Sequence, residues 1–134
     1  MPDPEAARGL LERALGYCRA DEATVSLVET DAASTRFSDN AITQNLVRRR
    51  VALNVRVAYG DKVGAAMTNR LEPEALKETA ERAQGIAKAA PPDLEFMPAL
   101  EPQAYPVLDA FRATTAGITP ESKAKKLLPA FELA

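Results

Sequence analysis

Val51-Ala52-Leu53-Asn54-Val55-Arg56-Val57-Ala58-Tyr59-Gly60-Asp61-Lys62-Val63-Gly64-Ala65-Ala66 is the most regular stretch of the sequence. Val51, Leu53, Val55 and Val57 recur at every second position, the period of a strand with one buried face. Gly60 then supplies the positive φ that the first position of a type II′ turn requires. A Gly60-Asp61 loop fixes the register, with Val57 opposite Gly64, Val55 opposite Ala66 and Leu53 opposite Thr68. Large residues on one strand meet small ones on the next, and small residues there let a helix approach the sheet closely.

Upstream, the same period predicts further strands. Ala23, Val25 and Leu27 alternate with Thr24 and Ser26, and Glu29-Thr30-Asp31 reads as a turn. From Ala33 to Leu46 a hairpin is expected around Asp39-Asn40, two residues that tolerate positive φ. A two-residue loop would place Phe37 opposite Ile42, Thr35 opposite Gln44 and Ala33 opposite Leu46, leaving Ser34, Arg36, Thr43 and Asn45 on the other side. Before these strands, Ala7, Leu10, Leu11, Ala14, Leu15 and Cys18 form one apolar stripe at helical spacing.

Downstream, Leu71-Glu72-Pro73-Glu74 starts a second helix, with proline in its first turn and acids at the positive end of its dipole. Its stripe is read as Leu76, Thr79, Ala80, Ala83, Ile86, Ala87 and Ala90. Pro91, Pro92, Pro98, Pro102 and Pro106 then predict an extended connector over 91–118. Thr119-Pro120-Glu121 caps a last helix bearing Ala124, Leu127, Leu128 and Phe131, in which Pro129 removes one backbone bond. The expected organisation is an α+β domain over 1–90, the connector over 91–118 and a terminal helix over 119–134. Its fold would be two-layered: an antiparallel meander of about five strands with two helices packed on one face.

Composition narrows the chemistry. The 134 residues carry a net charge of −2 with 46% hydrophobic and 27% charged residues, so a fold is expected and no long-range field gathers nucleic acid. No apolar run reaches the length of a membrane span, the amino terminus is acidic where a leader would be basic, and one cysteine excludes an internal disulfide, so the cytoplasm is the default location. No histidine is present, which removes the commonest metal ligand and the commonest acid-base group at neutral pH. No residues are assigned as catalytic or as metal ligands within this chain.

Ser34-Thr35-Arg36-Phe37-Ser38-Asp39-Asn40-Ala41-Ile42-Thr43-Gln44, followed in order by Val55-Arg56-Val57, the Gly60 turn, Gly64-Ala65-Ala66-Met67-Thr68-Asn69, an alanine-rich helix and Thr119-Pro120-Glu121, resembles the N-terminal domain of the TldD/PmbA family of zinc metallopeptidases, also described as modulators of DNA gyrase. The resemblance covers nearly the whole chain. It implies proteolysis by a zinc site in a C-terminal domain, with two histidines and a glutamate on a helix and a further ligand such as cysteine. Zinc catalysis needs about three protein ligands and an open position, and this chain cannot supply them. It is therefore expected to be a scaffold with no cofactor of its own, zinc being implied for the full-length protein. The implied partners are a C-terminal catalytic domain or partner subunit in a homo- or hetero-dimer, and a peptide substrate.

Each candidate residue carries two readings. Cys18 lies on an apolar stripe without an activating histidine, so a packed core thiol is favoured over a nucleophile. Arg36, Thr43 and Asn45 are candidates to line a substrate cleft or interface, and equally fit a solvent-facing strand side. Thr35 and Gln44 would form a polar pair on an apolar face, marking an interface or an edge. Arg48, Arg49 and Arg50 could contact phosphate, but without interleaved aromatics a solvated strand end is favoured. The alternatives to a metallopeptidase scaffold are a free-standing module binding a peptide or partner at a sheet edge and, less favoured, a nucleic-acid binder acting through the arginine run.

Overall fold

Why the Val51–Ala66 stretch folds as it does is visible in a computed structural model that describes residues 3–39 and 41–132. The element order is α1 (Pro4–Gly16), β1 (Glu22–Ser38), β2 (Ala41–Tyr59), β3 (Lys62–Thr68), α2 (Pro73–Ala89), α3 (Ala113–Ala116) and α4 (Pro120–Glu132). The sheet has three strands in the order β1-β2-β3, which makes the fold α+β. Two units divide the contacts: Met1–Thr30 with Arg50–Glu101, and Asp31–Arg49 with Pro102–Ala134.

Three long strands replace the five short ones expected. β1 runs unbroken through Glu29-Thr30-Asp31, and β2 runs through Arg48-Arg49-Arg50. Neither segment contains glycine or proline, so nothing forces the backbone out of extended geometry. Asp31 Oδ2 also accepts a hydrogen bond from Arg49 Nε at 3.1 Å, a cross-strand pair at the position read as a turn.

The β2–β3 hairpin follows the predicted register, with Leu53 facing Thr68, Val55 facing Ala66, Val57 facing Gly64 and Tyr59 facing Lys62. Gly60 has φ +57° and Asp61 is not in the left-handed region, as a turn of type II′ demands. Its amide donates to Asp21 Oδ2 at 2.7 Å, and the carbonyl of Asp61 accepts from the amide of Asp93 at 2.9 Å. The start of the proline-rich segment is thus tied to this turn. That segment lacks regular structure from Glu95 to Arg112, and the short α3 then falls inside the 91–118 range read as extended.

The core joins Ala14 of α1, Leu53, Val55 and Val57 of β2, and Leu76, Ala83 and Ala87 of α2. α1 starts on Asp3, whose carboxylate accepts from the amide of Ala6 at 2.8 Å. α2 presses on β3, and Gly64 is the point of closest approach. A Cβ there would intrude on the backbone oxygen of Ala83 and nitrogen of Ala87 and lie 2.9 Å from Ala87 Cα.

The buried face of α2 is rotated from the predicted stripe: Ile86 is exposed, and Gln84 is buried at 8% exposure. The side chain of Gln84 explains the rotation. Its Oε1 accepts from the Arg19 amide at 2.7 Å and shares the single proton of the Tyr59 hydroxyl, 3.1 Å away, with the Arg19 carbonyl, and its Nε2 donates to the carbonyls of Tyr17 and Ala80 at 3.3 and 3.1 Å. Four partners satisfy the amide completely and fasten the end of α1 to β2 and α2. Thr79, also buried, returns its hydroxyl to the Ala75 carbonyl at 2.7 Å.

Gly64→Ala is expected to destabilise the protein by about 3 kcal/mol, because backbone atoms rather than a flexible side chain must move. Gln84→Ala should cost about 1–3 kcal/mol by leaving buried partners unpaired. Urea denaturation checks both as a lower midpoint at unchanged slope.

Candidate functional site

Residues Asp31–Ser38 of β1 and Ala41–Arg49 of β2 form a two-stranded ribbon within the second unit. Side chains alternate between its faces, so the register decides which residues meet. Thr35 Oγ1 donates to Asn45 Oδ1 at 2.7 Å and Arg49 Nε to Asp31 Oδ2 at 3.1 Å. Both pairs belong to one register, which also matches Asn54 with Ser26 farther along the same strands, 3.4 Å apart.

This register is one residue out of step with the two-residue turn expected at Asp39-Asn40. Asp39 does take a positive φ of +51°, while Asn40 lies outside the described residues. The slip exchanges partners across the faces. Arg36 shares its face with Gln44 rather than with Thr43 and Asn45, and Thr35 joins Asn45 rather than Gln44. The sequence did contain the signal, since only the observed register sets Asp31 against Arg49 and Thr35 against Asn45 together.

One face of the ribbon forms a groove of about 340 Å³ lined by Ala32, Ser34, Arg36, Gln44, Leu46 and Arg48. Three candidate residues from the sequence, Arg36, Gln44 and Arg48, therefore come together. No acidic residue lines the groove, and neither guanidinium has an ion-pair partner among the described residues. On the other face, Thr35 and Phe37 contribute with Ile118, Lys123, Lys126 and Leu127 to a shallower hollow of about 410 Å³. Lys123 Nζ donates there to the Ala33 carbonyl at 2.6 Å, satisfying one backbone oxygen of β1. Thr43 is exposed and, two residues from Asn45, falls on this second face.

Because the arginine run lies in β2, strand alternation puts Arg49 on the face opposite Arg48 and Arg50. Arg49 turns away from Arg48 and Arg50 to reach Asp31, and an Arg50 nitrogen sits 3.9 Å from the Met67 sulfur. Cys18 is half-buried, its sulfur 3.5 Å from the Ala14 carbonyl oxygen, and burial pushes its thiol up from the ordinary cysteine range. A neutral thiol at neutral pH is a poor nucleophile. Among the described residues no group of three His, Cys, Asp or Glu is placed to hold a metal ion, and no helix is long and apolar enough to cross a membrane. With one thiol and no imidazole in the chain, the donor set does not fit zinc.

At pH 7.5 Cys18 is expected to react with iodoacetamide several-fold more slowly than glutathione, and its rate should go on rising with pH after that of glutathione has levelled off, since a raised pKa keeps the thiolate scarce. Mass spectrometry of the alkylated protein over time measures this.

Comparison with known proteins adds the wider context. Residues 23–87 match the family described as PmbA/TldA metallopeptidase domain 1. The fold is similar to that of TldE from Thermococcus kodakarensis, with a TM-score of 0.75 and 22% identity, over 96% of this chain and 29% of that one. It is also similar to a Bacteroides thetaiotaomicron protein provisionally named a modulator of DNA gyrase, with a TM-score of 0.75 and 19% identity, over 100% of this chain and 32% of that one. The chain spans about a third or less of the length of both structures. Comparison with curated proteins gave no match.

Proposed function

Since this chain belongs, through residues 23–87, to the PmbA/TldA metallopeptidase family as its first domain, we propose that it is the non-catalytic N-terminal part of a zinc-dependent peptidase that shapes the substrate cleft and the contacts between subunits. The observation that carries this reading is the proline-rich segment. Leu94, Leu100, Tyr105, Val107, Leu108 and Phe111 stand along it almost fully open, Leu94 at 97% and Val107 at 101% exposure. Large apolar side chains left this open along one segment of chain are commonly covered by a partner. Related structures about three times longer supply the natural candidate for that partner, a catalytic domain on the same chain or in a homo- or hetero-dimer.

The division of labour follows from the donor set. Zinc and the residues that activate its water would belong to the catalytic part, which acts on peptides in the cytoplasm, while this part holds and positions. The packing of α1 and α2 into one core with β2 supports a two-layered domain with both helices on one sheet face, a rigid platform suited to that task.

Purified with zinc, the chain is expected to show no peptide hydrolysis above background. Co-expressed with the catalytic part of a family member, it should co-purify and restore hydrolysis. Replacing Tyr105, Val107, Leu108 and Phe111 by serine should abolish co-purification without lowering the thermal midpoint. Metal-dependent turnover by the isolated chain, or unchanged co-purification of the serine variant, contradicts the reading.

A further inference from the structure

From the groove on the ribbon we infer that this domain binds an extended acidic peptide, with one carboxylate on Arg36 and another on Arg48. This deepens the reading above, on which it rests, by naming a class of peptide. The charges come first. Arg49, on the opposite face, is matched by Asp31 at 3.1 Å, whereas the groove has two guanidiniums and no acid. A guanidinium presents donors in a rigid fork that matches a carboxylate, so each arginine is a ready site for one.

Geometry then selects the ligand. In the observed register Arg36 faces Gln44 and Arg48 faces Ala32, so the two arginines stand four residues apart along the ribbon. At roughly 3.3 Å per residue this is about 13 Å. An extended peptide repeats the same spacing, placing acidic side chains at positions i and i+4 on one face. Ser34, between the arginines, and Gln44, opposite Arg36, can exchange hydrogen bonds with a peptide backbone, which offers a donor and an acceptor at every residue. Ala32 and Leu46 complete the lining with apolar atoms.

A nucleic-acid strand fits the groove less well. No aromatic ring lines it to stack a base, and a net charge of −2 supplies no long-range attraction for a polyanion.

Fluorescence anisotropy tests the inference on the isolated chain, with a labelled nine-residue threonine-alanine peptide carrying glutamates four positions apart. Binding is expected to weaken about tenfold in Arg36→Ala and in Arg48→Ala. It should weaken several-fold in the Arg36→Lys, Arg48→Lys double variant, which keeps the charge and loses the fork. Replacing both glutamates by glutamine should reduce it below detection. Both arginines are exposed, so circular dichroism should show unchanged melting. Equal binding of the glutamine peptide, undiminished binding by the double alanine variant, or tighter binding of a duplex oligonucleotide through the same arginines overturns the inference. Because it needs no catalytic partner, its failure is distinct from failure of co-purification.

Discussion

The contact of α2 with β3 at Gly64 constrains the first unit more than any other. A helix can come this close to a strand only where the strand residue lacks a Cβ and the helix presents alanines, as Ala83 and Ala87 do. Opposite Gly64 on the neighbouring strand is Val57, and Val55 and Leu53 continue the row, so the bulk missing from β3 is supplied by β2. Close packing of large against small across a hairpin excludes water from Leu53, Val55, Val57 and Leu76 without a single aromatic residue in the buried set.

Gln84 shows how a polar group can belong to such a core. An unpaired amide at 8% exposure would be costly, but its four partners come from α1's end, β2 and α2 itself. The same bonds restrict how α2 can rotate on the sheet, because the amide reaches all four only in one orientation. Ile86 is left outside as a result.

In the second unit a different constraint operates. The ribbon of residues 31–49 buries little, so its register is held by cross-strand polar pairs rather than by a hydrophobic face. That register brings Arg36 and Arg48 onto one side and Asp31 and Arg49 onto the other. Guanidiniums and amides therefore meet in one groove, apolar side chains stand along an extended segment, and among the described residues no group of three His, Cys, Asp or Glu is placed to hold a metal ion.

The sequence by itself determined the β2–β3 hairpin, the Gly60 turn, both main helices and the missing imidazole, because local periodicity and residue identity act within a few positions of the chain. It also pointed to Arg36, Gln44 and Arg48, though not to their meeting. Tertiary structure alone decided the uninterrupted lengths of β1 and β2 and the burial of Gln84, and it selected the ribbon register among those the sequence allowed. Strand length depended on whether a partner strand was present to continue pairing past Thr30, the register on matching side chains up to eighteen residues apart such as Asp31 and Arg49, and the amide on a tyrosine hydroxyl, a backbone amide and a carbonyl brought to it from outside α2. Each of these is a comparison between distant parts of the chain, which no window of sequence contains.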